Sequence, residues 1–191
     1  MEYHVTEVLS ILRPDNNVPC ETMERAARAG IEFHRYALGN LITPIGLPTP
    51  EGIEADVSRF DTWFRDHVRK IATVNGELFV EKTFVLPHLQ LTGRIDLCAV
   101  MRGDRKPSLI DLKRVYAVSP AVGPQIAAYR FGTHYRYGIE CARGFALQVK
   151  DGKVQAIEFP DYKDDLQAFW WSHSLYCWQH KKGLVTPSER K

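Results

Sequence analysis

Paired cysteines are missing from this sequence. Its four cysteines, Cys20, Cys98, Cys141 and Cys177, are scattered, and no two form a CxxC pair. That excludes the ligand spacing of a zinc ribbon or a clustered iron–sulfur centre, and it predicts reduced thiols in a cytoplasmic protein. Long apolar runs are missing too. No segment approaches the ~20 residues of a membrane helix, and Met1-Glu2-Tyr3-His4 lacks the basic-then-apolar order of a signal peptide. Charge of one sign is not in excess: a net +2 over 191 residues argues against a strongly basic nucleic-acid coat protein and leaves room for a local basic groove. There is no internal repeat and no low-complexity tract. The apolar content is ordinary, so the length fits a single domain over 1–191, with a core over about 20–160, an aromatic helix over 162–182 and a frayed polar tail over 183–191.

Periodicity divides the chain into helices and strands. Glu21 to Leu38 reads as a helix with Met23, Ala27, Ile31, His34 and Leu38 on one face, stopped by Gly39-Asn40. A Pro/Gly-rich loop over 43–52 follows. Helical spacing returns from Ile53 to Ile71 through Val57, Phe60, Phe64, Val68 and Ile71. Glu77–Leu86, Leu91–Met101 and Ser108–Val115 have strand composition. Ala121–Arg136 is helical, with Pro124 near its start. Ala142–Lys150 and Lys153–Phe159 flank Asp151-Gly152, a two-residue hairpin signal. Tyr162–Lys182 is a last, aromatic-rich helix. The order ααβββαββα predicts an α/β fold of the α+β mixed kind, a central mixed sheet flanked by helices.

Two neighbouring strands carry the chemistry: Gly93-Arg94-Ile95-Asp96 and Ile110-Asp111-Leu112-Lys113. Alternation puts Asp111 and Lys113 on one strand face, and Asp96 on a face with Arg94 and Cys98. A tight turn at Gly103-Asp104 sets Asp96 opposite Asp111; a longer Arg102–Pro107 loop sets it opposite Lys113. In either register the acids and the lysine fall within the ~5–8 Å of cross-strand neighbours. Two close carboxylates repel unless a cation neutralises them, and a hard divalent ion takes such oxygen ligands. The expectation is metal-assisted phosphodiester hydrolysis, with an Asp–Lys salt bridge on a solvated face as the plainer account.

Together with two further elements these residues resemble the PD-(D/E)xK nuclease superfamily, in its RecB-type and phage lambda exonuclease-like branch. The elements are Gly-x-x-x-His over Gly30–His34 and Gln-x-x-x-Tyr over Gln125–Tyr129. The resemblance covers about residues 20–135 and implies a restriction-endonuclease-like core. It implies Asp96, Asp111, Lys113, Gln125 and Tyr129 as catalytic residues. His34, Asp96, Asp111 and the Leu112 main-chain carbonyl would be ligands of Mg²⁺ or Mn²⁺, with His34 favouring Mn²⁺. Gln125 and Tyr129, one helix turn apart, would hold DNA or the lysine. Arg94 would touch the scissile phosphate or bridge the acids in the absence of metal. Glu81 would be a further ligand or an outer acceptor, or else pair with a surface lysine.

The implied activity is a metal-dependent deoxyribonuclease, an exonuclease of phage-type recombination or DNA end processing, phage-encoded and acting in a bacterial cytoplasm. The implied partners are DNA and a single-strand annealing protein, with homo-oligomers, ring-shaped in the lambda-type branch. The second acid is Asp rather than the commoner Glu, and Cys177 stands alone where an iron–sulfur version needs three C-terminal cysteines, so no such cluster is expected. Alternatives are a structure-specific endonuclease on the same fold, a non-catalytic DNA-binding or assembly module, and a small-molecule phosphoesterase. Phe169, Trp170, Trp171, Tyr176 and Trp178 read as a core or subunit-interface stripe more simply than as a base-stacking surface. Arg102, Arg105 and Lys106 at the hairpin tip read equally as phosphate contacts and as a solvated turn.

Overall fold

The computed structural model describes residues 2–12, 20–43 and 48–184. In chain order it contains β1 (Tyr3–His4), α1 (Val5–Val8), a 3₁₀ turn over Leu9–Leu12, α2 (Cys20–Ile42), α3 (Glu54–His67), β2 (Val68–Ile71), β3 (Thr73–Val74), β4 (Glu77–Leu78), β5 (Val80–Leu86), β6 (Leu91–Met101), β7 (Ser108–Lys113), α4 (Val122–Tyr137), β8 (Arg143–Lys150), β9 (Lys153–Glu158) and α5 (Tyr162–Lys181). This is a mixed α/β fold: a seven-stranded sheet of parallel and antiparallel strands, flanked by helices.

The 11-residue β6 is its spine. On one edge β6 pairs antiparallel with β5 over Leu91–Leu97 and with β2 over Ala99–Met101. On the other edge it pairs parallel with β1 at Leu91–Thr92 and antiparallel with β7 at Leu97–Ala99. The sheet continues through a parallel β7–β8 pair to the antiparallel β8–β9 hairpin. Asp151 (φ 51°) and Gly152 (φ 68°) close that hairpin with both φ positive, as a type I′ turn requires.

Two apolar cores sandwich the sheet. One gathers Val5, Val8, Phe84, Leu91, Ile95, Leu109, Ile126, Tyr129, Phe169 and Tyr176 beneath α1, α4 and α5. The other gathers Phe33, Leu38, Val57, Phe60, Trp63, Leu97, Ile110, Leu112 and Leu147 beneath α2 and α3. Strand residues two apart should share a face, yet Ile95 belongs to the first core and Leu97 to the second, and Phe84 and Val80 divide the same way. The alternation slips one place in both strands, around Asp96 on β6 and around Glu81 (φ 50°) on β5. Register is kept because both strands slip together: Val80 pairs with Leu97 and Lys82 with Ile95. Asp96 therefore does not share a plain face with Arg94 and Cys98.

Several boundaries differ from the sequence expectation. α2 runs through Gly39-Asn40 to Ile42. Its buried stripe is Phe33, Ala37 and Leu38, whereas Ile31 is 70% exposed and Ala27 is also exposed. The same period fits both stripes, and packing on α3 selects the one with the bulkier ring; the Met23 side chain lies outside the described residues. The end of the second predicted helix, Val68–Ile71, is strand β2, because the end of β6 offers an open edge on which the β-branched Val68 and Ile71 pair. Pro124 lies in the first turn of α4, where its missing N–H costs nothing. β1 and α1 were not expected, and they extend the core ahead of residue 20: Val5 and Val8 are fully buried. Of the expected tail over 183–191, residues 185–191 lie outside the described ones.

Gly93 and Gly132 allow the closest approaches near the centre of the sheet. A Cβ on Gly93 would come within 2.7 Å of the Phe84 ring and 2.9 Å of Tyr129, and one on Gly132 within 2.5 Å of Phe84. The glycine of the Gly93–Asp96 motif thus seats Tyr129 against β6.

Candidate active site

The site lies where β6 and β7 part. Their register is the one that a tight turn at Gly103-Asp104 gives, which sets Asp96 across from Asp111, but the ladder ends at Leu97–Ile110. Beyond that rung the Leu112 N–H donates to Asp96 Oδ2 at 2.7 Å. The Asp96 carboxylate thus takes a β7 backbone donor in the gap between the strands. Between β1 and β7, residues 93–96 of β6 have no strand beside them on that edge among the described residues. Asp111, in register with Leu109, turns toward α4.

Each carboxylate has its own attendants. His34, from α2, places Nδ1 3.4 Å from Asp96 Oδ1 and Nε2 3.0 Å from the Leu112 carbonyl. A carbonyl only accepts, so Nε2 carries a proton, and an unprotonated Nδ1 would turn a lone pair toward the carboxylate. Burial pulls the His34 pKa down, but the Asp96 charge and hydrogen bond and the Asp111 charge outweigh it, and the net shift is upward. Burial pushes the Asp96 carboxyl up, and His34, Lys113 and the Leu112 N–H together bring it below its ordinary value. Asp111 goes the other way. Burial raises it, Lys113 opposes, the Asp96 charge adds to the rise, and the net shift is upward.

Gln125, from α4, donates from Nε2 to Asp111 Oδ1 and to the Tyr129 hydroxyl, both at 3.2 Å. Lys113 Nζ lies 2.6 Å from Asp111 Oδ2. It stands off the direction a hydrogen bond needs, so that buried oxygen makes none. Among the described residues, four buried side-chain polar atoms have no hydrogen bond, and Asp111 Oδ2 is the sole carboxylate oxygen of the four.

His34, Asp96, Asp111, the Leu112 carbonyl, Lys113, Gln125 and Tyr129 are thus brought together, with some roles altered. Gln125 holds the acid rather than the lysine. Tyr129 is 2% exposed, and its buried hydroxyl pKa is pushed well up, so it braces Gln125 and makes no surface for DNA. Arg94 pairs with Glu81 instead of bridging the two aspartates. The Glu81 carboxylate is thereby taken up, which does not favour its reading as a metal ligand. Both line an open cleft of about 530 Å³ against Arg35 and Tyr36 of α2. At the far hairpin tip, Arg102 donates to the Arg65 carbonyl and Lys106 pairs with Glu140. In α5, Phe169 and Tyr176 are core residues, whereas Trp171 and Trp178 are more than half exposed.

The donor set fits a hard divalent cation in kind: two carboxylates, a main-chain carbonyl and an imidazole. The Asp111 oxygen without a hydrogen bond is the kind of atom a cation would satisfy. Even so, no group of three or more His, Cys, Asp or Glu among the described residues is arranged to hold a metal ion. The reason is visible in the contacts: His34 is bonded to Asp96 and to the Leu112 carbonyl, so a proton on His34 and a divalent ion compete for the same ligands.

Two features were not expected from the sequence: a third buried acid, Asp56, and the N-terminal segment, which brings Thr6 and Leu9 to the wall of a cavity beside Lys113 and Gln125.

No family model matches the chain, and no curated protein matches it. Among solved structures, one described as "Crystal structure of SSO0001" is similar over 100% of this chain and 87% of its own, at 15% identity and a TM-score of 0.33. An overlap that low carries neither fold nor function across. What the coordinates define is a mixed α/β protein with a buried acid–acid–lysine cluster at a parting of its central strands. No helix among the described residues is long and apolar enough to cross a membrane.

Proposed function

We propose that the chain is a metal-dependent deoxyribonuclease of the PD-(D/E)xK type, with an exonuclease of DNA end processing as the leading form. The observation that carries this reading is Asp111: buried, raised in pKa, with one oxygen lacking a hydrogen bond beside Lys113, and facing the parted strands that Asp96 and His34 close.

Asp96, Asp111, the Leu112 carbonyl and His34 would hold Mg²⁺ or Mn²⁺. Bound there, the ion supplies Lewis acidity toward a phosphate oxygen and acidifies water. The chain's own residues do the rest. Gln125 fixes Asp111 through Oδ1, leaving Oδ2 beside Lys113. Lys113 provides a compact positive charge where a phosphorane-like oxyanion develops. Buried Tyr129 fixes Gln125 in turn, and Gly93 gives Tyr129 its seat.

End-labelled linear DNA and a covalently closed circle, incubated with Mg²⁺, Mn²⁺ or chelator, test the proposal. Metal-dependent loss of the linear form with the circle spared is the expected result. Cutting of both indicates the endonuclease, and binding without cutting the assembly module. A small-molecule phosphoesterase would be insensitive to competing DNA at low salt.

A further inference from the structure

Two thiols meet in the core beneath α4. Cys98, on β6, is fully buried, and Cys141, in the connection between α4 and β8, is 6% exposed. Both are free, and their sulfurs are 3.4 Å apart. The contact is fixed from both backbones. The Cys98 N–H donates to the Phe79 carbonyl at 3.0 Å, and the Cys98 carbonyl accepts from the Ala72 N–H at 2.9 Å. Arg130 holds the other side, donating to the Cys141 and Ala142 carbonyls at 2.9 and 3.0 Å. Only one of the two thiols meets a route from solvent. Cys141 lines an open cavity of about 450 Å³ together with Arg130, His134, Glu140 and Tyr162. The Glu140 carboxylate there is taken up by Lys106.

We propose that Cys98 and Cys141 form a redox-responsive dithiol, reduced at rest and closed to a disulfide by hydrogen peroxide entering that cavity. The inference stands apart from the nuclease reading. Exposure fixes the order of events. The Cys141 sulfur attacks one peroxide oxygen; the O–O bond breaks, the departing hydroxide leaves as water with the thiol proton, and Cys141 becomes a sulfenic acid. The Cys98 sulfur then attacks the Cys141 sulfur. The S–O bond breaks, hydroxide leaves as a second water with the Cys98 proton, and the S–S bond forms. The two thiols give up two electrons, and one peroxide is reduced to two waters. Closure asks for a sulfur shift of roughly 1.4 Å, from the observed contact to the bonded distance of about 2.05 Å. The electrostatics favour Cys141 as the attacking group. A hydrogen bond from Cys98 lowers its thiol pKa, burial opposes, Arg130 adds to the lowering, and the net shift is toward the nucleophilic thiolate.

The test treats the folded wild-type chain with hydrogen peroxide, blocks the remaining thiols with iodoacetamide in denaturant, and maps the tryptic peptides. Cleavage after Arg94, Arg102, Arg136 and Arg143 isolates Cys98 in peptide 95–102 and Cys141 in peptide 137–143. The two peptides should appear as one species, joined with the loss of two hydrogens, and should separate again after dithiothreitol. Oxygen adducts on these peptides in place of the cross-link overturn the proposal. So do cross-links that run to Cys20 or Cys177 instead, and so does a pair that remains fully alkylated.

A second arm tests the order of attack. In Cys98→Ala, oxidation should stop at oxygen adducts on peptide 137–143, because the sulfur that resolves the sulfenic acid is gone. In Cys141→Ser, Cys98 should be oxidised about 10-fold or more slowly than in the wild type, because its thiol has lost its reactive neighbour and meets no solvent. Oxidation of Cys98 at the wild-type rate in Cys141→Ser overturns the assigned roles. Cys98→Ser replaces Cys98→Ala if the alanine variant does not fold, and the wild-type peptide map decides the proposal without either.

Discussion

Two aspartates in this molecule are equally hidden from water, Asp56 at 2% exposure and Asp111 at 3%, and their surroundings could hardly differ more. Asp56, in α3, accepts from Arg114 Nε and from the Gly152 N–H, both at 2.8 Å, and so fastens α3 to the end of β7 and to the β8–β9 turn. Both of its oxygens are hydrogen-bonded. Asp111 has one oxygen bonded to Gln125 and the other held only in an ion pair with Lys113. Burial therefore does not distinguish the two; the partners of the second oxygen do.

The largest effect that would test this contrast is at Asp56. Asp56→Ala strands the buried Arg114 guanidinium, and urea unfolding should show a loss of about 3–5 kcal/mol, with cleavage per folded molecule unchanged. A drop in turnover at constant folded fraction would erase the distinction. Lys113→Ala should strike cleavage instead: turnover per folded molecule falls about 10²–10³-fold, on top of the stability lost with the Asp111 ion pair. Normal turnover in that variant removes Lys113 from the mechanism. Gln125→Leu, which frees the other Asp111 oxygen and Tyr129, should cost about 10–100-fold in metal affinity or activity, readable by calorimetry with Mn²⁺.

The smallest effects are in pH dependence, measured on chelated protein. Asp111 has a raised pKa when folded, so its stabilising share is complete below the ordinary value of 3.8 and is lost as pH rises toward the folded value. Relative to Asp111→Asn, the wild type should lose stability over that rise; a gain would contradict the raised carboxyl. His34 is also raised. Its contribution is complete below 6.5 and declines as pH rises through the folded pKa, and His34→Gln should flatten that decline. The Asp96 half of the pair, lowered, is lost instead as pH falls below 3.8.

Legibility in the sequence followed the range of the interactions. β6 was read to the residue from its composition, and the β8–β9 turn from Asp151-Gly152, because both are local signals. The Asp96–Asp111 register was one of two that the residues between β6 and β7 allowed, and the ladder takes the one set by a turn at Gly103-Asp104. The convergence of His34 on Asp96 was expected on resemblance alone, since apolar residues recur at helical spacing on two faces of α2: Ile31 and Phe33 lie about 200° apart around the axis and belong to different stripes. The slip at Glu81 and Asp96 was out of reach, because two compensating departures on paired strands leave the register of each unchanged. Asp56 and Arg114, 58 residues apart, offered no pattern to read.

The two-residue strand β1 docks in parallel on β6 across nearly ninety intervening residues, held by the Tyr3 N–H on the Gln90 carbonyl and the Tyr3 hydroxyl on His180. Closing so long a loop for so few bonds is slow. This clasp is expected to lock late in folding, and hydrogen exchange should find its amides less protected than those of the β6–β7 ladder it stands beside.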